Sequence, residues 1–211
     1  MSEQQTPEWF QNRIGKVTAS RVADLMAKTK SGYSASRDNY MAQLVCELVT
    51  GQREESFSSA AMAWGNEQEP FARAAYEAKT NVLVDEVGFI LHPTIEGCGA
   101  SPDGMVGDDG LVEIKCPNTN TALEAWLKWA DDKNPVASKY NAQMQMQMAC
   151  TGRSWCDYVI YDPRMPAKAQ LLVVRVERDD AFITEMEAEI VKFIDELNTK
   201  VVKLKKAMEA L

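Results

Sequence analysis

The chain has 211 residues, 45% hydrophobic and 26% charged, which is enough apolar material for a core, and no apolar run approaches the ~20 residues that span a bilayer. Its formal net charge of −8 argues against a basic exterior that holds nucleic acid non-specifically, but leaves room for a local basic lining. The five cysteines (Cys46, Cys98, Cys116, Cys150, Cys156) show no C-x-x-C spacing, and the single histidine, His92, excludes H-E-x-x-H and any two-histidine zinc site.

The opening MSEQQTPEWF has neither the basic flank nor the apolar stretch of a secretory leader, so a cytoplasmic location is expected, with no membrane partner. TASRVADLMAKT, residues 18–29, predicts a short helix with Thr18 or Ser20 near its start. KTKSGYSASR, residues 28–37, reads as a polar loop. Over 36–50, Tyr40, Leu44, Val45 and Leu48 recur at helical spacing and Gly51 supplies the stop. Another helix covers about 59–79, where Gly65 is expected to let the helix approach a sheet closely.

The period then changes. VLVDEVGFILH, residues 82–92, predicts a strand bent at Gly88, with His92 as a strand-end residue. Met105–Val106 and LVEIKC (111–116) flank GDDG, a hairpin signature. Helices are predicted over about 121–131 and 137–151, and strands over 154–162 and 169–177. From 179 to 211, Ile183, Met186, Ile190, Phe193, Leu197, Val201, Leu204, Met208 and Leu211 step by threes and fours. This long helix either packs on its own domain or reaches a neighbouring subunit. The expected fold is α/β (α+β): one domain over 1–211 with a central mixed sheet flanked by helices, a core over about 9–195 and a long C-terminal helix.

The chemistry concentrates in the hairpin. Residues two apart share a strand face, so Glu113 and Lys115 point one way and Ile114 the other. Asp103 precedes the first strand, and GDDG folds it back toward Glu113. Two carboxylates beside an ammonium form a hard-oxygen set suited to Mg²⁺ or Mn²⁺, and the Ile114 carbonyl offers another oxygen. Such a set can serve phosphodiester hydrolysis without a covalent nucleophile. Taken alone, E-x-K also describes a solvated strand face. The apolar neighbours Leu111, Val112, Ile114 and Cys116 and the preceding Pro-Asp turn favour a buried site. A third acid lies in WGNEQE, where spacing does not separate Glu67 from Glu69.

Pro-Asp, about ten residues, then E-x-K is the signature of the PD-(D/E)xK nuclease superfamily. Together with R-I-G-x-x-T-A-S, A-W-G-x-x-x-E, S-P-D-G, E-I-K-C-P, A-Q-x-Q and Y-D-P-R-M in that order, the chain resembles the phage lambda-type exonucleases of the YqaJ-like viral recombinase family over about residues 9–195. The resemblance implies a restriction-endonuclease-like core. It also implies Mg²⁺ (Mn²⁺ may substitute), two ions per site, on Asp103, Glu113, the Ile114 carbonyl and Glu69. Lys115 and Gln143 would hold the attacking water. Read from the residues alone, Gln143 also fits a buried helix face beside methionines. Arg13, Ser20 and Ser101 would bind a 5′-phosphate, although Arg13 and Ser20 also fit a solvated charge and an N-cap. Met62 matches an apolar wedge that opens the duplex end, and Lys30 stands where the family has a groove-contacting arginine, keeping its charge without its fork.

The implied activity is a processive 5′→3′ exonuclease on double-stranded DNA that releases 5′-mononucleotides and leaves a 3′ overhang. The implied partners are duplex DNA ends, two further copies in a homotrimeric ring, and a single-strand annealing protein, in a bacterial or phage-infected cell. An endonuclease or an exonuclease of other polarity on the same fold is the alternative enzyme, and a catalytically silent DNA-end binder is the alternative from another class.

Overall fold

The computed structural model describes residues 4–53 and 59–210. Helix α1 (Pro7–Arg13) starts where Thr6 accepts from the Trp9 amide and Pro7 needs no hydrogen bond. Strand β1 (Val17–Thr18) leads through a 3₁₀ turn (Ala19–Arg21) into α2 (Val22–Met26). The helix predicted over 18–29 is therefore shorter at both ends: Val17 and Thr18 pair in parallel with Cys98 and Gly99, and Lys28 and Thr29 pair with Tyr33 and Gly32. The stretch 28–37 is not a loop throughout. It holds a small hairpin, β2 (Lys28–Thr29) and β3 (Gly32–Tyr33), before α3 (Ala35–Thr50) begins. Gly51 ends α3 in the left-handed region at φ 67°, as its place after the apolar stripe predicts.

Helix α4 (Ala60–Thr80) is capped by Ser59. An added Cβ at Gly65 would meet nothing within 4 Å, so this glycine faces open space and does not mediate a close approach. The strand predicted over 82–92 is two strands. Val84 in β4 (Val84–Asp85) pairs with Val106, whereas Ile90 in β5 (Ile90–Leu91) pairs with Ala100 in another sheet. Periodicity reports a strand's faces, not its neighbours, so it cannot reveal that change of sheet.

Next come β6 (Cys98–Ala100), β7 (Gly104–Val106), β8 (Gly110–Lys115), α5 (Thr119–Asp132), α6 (Ser138–Thr151), β9 (Trp155–Tyr161), β10 (Leu171–Glu177) and α7 (Asp180–Glu209). The main sheet runs β10-β9-β8-β7-β4, with β8 and β9 parallel and the other pairs antiparallel, and a smaller sheet runs β1-β6-β5. This is the mixed sheet flanked by helices that the element order implies. Gly110 permits the β8–β9 contact, since a Cβ there would lie 2.1 Å from the Trp155 ring.

Helix α6 is buried nearly all round. Ala142, Met146, Ala149 and Cys150 pack with α2, α3 and α7, while Met144 and Met148 pack with β8, β9 and α5. Helix α7 buries Ile183, Met186, Ile190, Phe193, Leu197 and Val201 against its own chain, each contributing about 1.5–3 kcal/mol by burial. Residues 202–210 are exposed, including Val202, Leu204 and Met208. No helix of the described residues is long and apolar enough to cross a membrane.

Candidate active site

Strand β8 lies between β7 and β9, and its alternation divides it cleanly. Val112, Ile114 and Cys116 join the core under α4, while Leu111 faces the core under α5 and α6. Glu113 shares the Leu111 face and is fully buried, at 0% exposure. A charge there persists only if it is compensated. Lys115 donates to Glu113 Oε1, Gln143 Nε2 donates to the same oxygen at 2.6 Å, and Gln147 Nε2 donates to Oε2 at 2.6 Å.

The β7–β8 register sets Gly104 opposite Val112, and one further step brings Asp103 alongside Glu113. Asp103 Oδ2 accepts from the Ile114 amide at 2.6 Å. The N–H and C=O of one strand residue leave on the same edge, so the Ile114 carbonyl also faces Asp103. Burial, reinforced by the Glu113 charge, pushes the Asp103 carboxyl well above the usual carboxylate range. Burial would lower the Lys115 ammonium, but Glu113 and Asp103 outweigh it and hold its pKa above the usual lysine value. Lys115 is thus a cation among acids.

Sequence reasoning identified Gln143 and missed Gln147. The signal was present, since residues four apart on a helix share a face. The other glutamine of A-Q-x-Q, Gln145, is structural: it donates to the Glu177 carbonyl at 2.9 Å and accepts from the Asp179 amide at 2.9 Å, tying β10 to α7.

Glu69, on α4, lines a cavity of about 390 Å³ together with Asp103, Asn66 and Arg73. It pairs with Arg73 at 3.2 Å, and Arg73 also holds Glu86. Burial pushes its carboxyl up against the pull of Arg73 and Lys115. Glu67, the other acid that spacing left open, is exposed. Among the described residues no three His, Cys, Asp or Glu side chains form a ready metal cluster. The oxygens on offer at the hairpin are two carboxylates and one carbonyl. That sparse set fits Mg²⁺ or Mn²⁺, which keeps waters and commonly takes one or two protein carboxylates. The acidic excess beside a single lysine fits a cation as well.

A second cavity, of about 290 Å³, is lined by Arg13, Ser20 and Met62. Ser101 joins them by accepting from Arg13 Nη1 at 3.2 Å and from Trp9 Nε1 at 2.9 Å. The Arg13 guanidinium lies 4.1 Å over the Trp9 ring, and burial lowers its pKa to about 10, so it stays charged at neutral pH. Lys16, Arg21 and Arg53 line the same cavity against the one carboxylate of Glu47. This is a local basic lining in an acidic chain. Trp9 was not singled out from sequence, although it stands four residues before Arg13 on α1. Met62 is 52% exposed at the mouth of the cavity. Lys30 does not join the cluster: it is exposed at the tip of the β2–β3 hairpin.

His92 is structural. Its Nδ1 accepts from the Thr94 and Ile95 amides, and its Nε2 meets Glu187 of α7 at 3.1 Å. Cys116, next to the site, is pushed up to about 12 by burial and is no nucleophile at neutral pH.

Comparison with known proteins adds a family. Residues 8–154 match the YqaJ-like viral recombinase domain. Among solved structures, an alkaline exonuclease from Laribacter hongkongensis, LHK-Exo, is 52% identical with a TM-score of 0.88, and the match covers 98% of this chain and 100% of that one. LHK-Exo in complex with dAMP matches with the same values. A phage-related exonuclease from Haemophilus somnus 129PT shares the fold at 15% identity and a TM-score of 0.66, over 88% of this chain and 96% of that one. No curated protein sequence matches.

Proposed function

The chain belongs to the YqaJ-like viral recombinase family, and from that premise we propose that it is a DNA exonuclease, dependent on Mg²⁺, that digests one strand of a duplex from its 5′ end. The observation that carries this reading is the convergence on Glu113: a fully buried carboxylate, gripped by Lys115, Gln143 and Gln147, with Asp103 beside it across the hairpin.

Asp103, Glu113 and the Ile114 carbonyl would hold one ion, and Glu69, released from or shared with Arg73, would serve a second. When bound, such ions polarise the phosphoryl oxygens and lower the pKa of a coordinated water. The chain's own groups do the rest. Lys115 keeps a positive charge at the site, where negative charge builds up in the transition state. Gln143, already within 2.6 Å of Glu113, has a second amide hydrogen with which to orient a water. Arg13, Ser20 and Ser101 would grip a terminal phosphate, the guanidinium pre-oriented by its stack on Trp9. That grip sets polarity, because it recognises a 5′ end. Met62, at the mouth of the same cavity, would lean against the terminal base pair and separate its strands.

Release of 5′-mononucleotides, processive digestion, a 3′ overhang passed to a single-strand annealing protein, and action in the cytoplasm complete the reading. So does a homotrimeric ring, for which the exposed apolar end of α7 offers a contact surface.

The deciding assay uses linear duplex DNA with labelled 5′-phosphorylated ends, with and without Mg²⁺, products resolved by size and by end. Stepwise loss of 5′ label as mononucleotide, dependent on Mg²⁺ and abolished in Asp103→Ala, is expected. Digestion from the 3′ end, cutting of a closed circle, or full activity of Asp103→Ala would overturn the proposal.

A further inference from the structure

We propose that Gln147 is a positioning residue that locks the Glu113 carboxylate for cation binding, an inference that rests on the nuclease reading above. Gln147 is 0% exposed and sits in a helix whose other buried residues include Met144, Met146 and Met148. Its Nε2 donates to Glu113 Oε2 at 2.6 Å, whereas Lys115 and Gln143 both donate to Oε1. Its own Oε1 is buried with no hydrogen-bond partner among the described residues. Burying an amide oxygen without a partner is unfavourable. The opposite amide orientation would be worse, since it sets two acceptors face to face.

The arrangement therefore sacrifices one half of the amide so that the other half can grip Glu113. With one oxygen held by Gln147 and the other by Lys115 and Gln143, the carboxylate plane cannot turn. Groups that hold a ligand in this way typically change metal affinity by 10–100-fold when removed. The support is rigid because α6 is packed on both sides.

The test measures Mn²⁺ binding to the full chain by calorimetry, for wild type, Gln147→Met, Gln147→Asn and Glu113→Gln. Gln147→Met should weaken Mn²⁺ binding by about 10-fold or more, and should raise by the same factor the Mn²⁺ concentration needed for half-maximal nucleotide release. Affinity for a 5′-phosphorylated duplex end without metal should stay within twofold. Gln147→Asn keeps the amide one methylene too short and should behave alike, and it decides the matter if the methionine variant does not fold. Unchanged Mn²⁺ affinity in a folded variant overturns the inference while leaving the nuclease reading intact. A Glu113→Gln chain that binds Mn²⁺ like wild type also overturns it, and takes with it the assignment of an ion to Glu113 in the nuclease reading. A wild-type chain that neither binds Mn²⁺ nor releases nucleotides sinks the nuclease reading itself.

Discussion

Lys115→Met removes the ammonium that compensates a fully buried carboxylate while preserving most of the side-chain volume. Breaking a buried ion pair from one side costs about 3–5 kcal/mol. Two features reduce that here. Lys115 is 27% exposed, so solvent already screens part of the interaction, and Gln143 and Gln147 keep Glu113 hydrogen-bonded at 2.6 Å each. The remaining cost is about 2–3 kcal/mol. For a chain of this size, that lowers the melting temperature by roughly 4–12 °C. Nucleotide release should vanish, whereas Mg²⁺ should restore more stability to the variant than to wild type, because the repelling ammonium has gone. Calorimetric melting with and without Mg²⁺, run beside the labelled-duplex assay, reads both effects. Glu113→Gln is the control. Gln147 can turn its amide over and offer its orphaned Oε1 to the new NH₂, so the metal-free chain should stay within about 1 kcal/mol of wild type although inactive. A Lys115→Met chain that melts like wild type without metal, or one that still digests DNA at the wild-type rate, would refute this account of the site.

Arg13→Lys keeps the charge but loses the planar fork and the stack on Trp9, and should slow digestion of 5′-phosphorylated ends by about tenfold or more while leaving 5′-hydroxyl ends nearly unchanged; equal loss on both ends would remove the phosphate role. Gly104→Ala drives a Cβ to within 2.1 Å of Val84 beside Asp103 and should cost about 1–3 kcal/mol together with activity. Gly65→Ala, facing open space inside α4, should instead stabilise by about 0.5–1 kcal/mol in denaturant titrations, and a loss there would contradict the observed packing. Burial raises the Asp162 carboxyl, but hydrogen bonds from Arg164 and Thr119 outweigh it and hold its pKa below the ordinary value. A depressed folded pKa stabilises above the unfolded value of about 3.9 and loses that contribution as pH falls through the folded one. Asp162→Asn should therefore cost about 1.5 kcal/mol at pH 7, with the deficit shrinking below about pH 4; a gap independent of pH would exclude the ion pair as its source.

Legibility followed the range of the interaction. The β7–β8 hairpin was readable because its turn, its alternation and its acids lie within a few residues of one another. The α3 stop at Gly51 and the stripe of α7 were readable for the same reason. The errors came where distant segments intervene: Thr18, the expected start of a helix, was drawn into a strand with Val17 by pairing with β6, and residues 82–92 were divided between two sheets. Gly65 was misjudged because sequence does not say which side of a helix meets the core.

The sequence by itself determined the chemistry on offer: hard oxygens and a lysine on one strand, an arginine and serines for an anion, and no histidine or cysteine constellation to compete. Tertiary structure alone decided how those groups are held. Glu113 is gripped from α6, 30 and 34 residues further along, and Ser101 meets Arg13 across 88 residues. Such contacts exist only once a sheet and its covering helices have packed, because burial, which makes a carboxylate dependent on the partners packed around it, is a property of the assembled layers and not of any local stretch of chain.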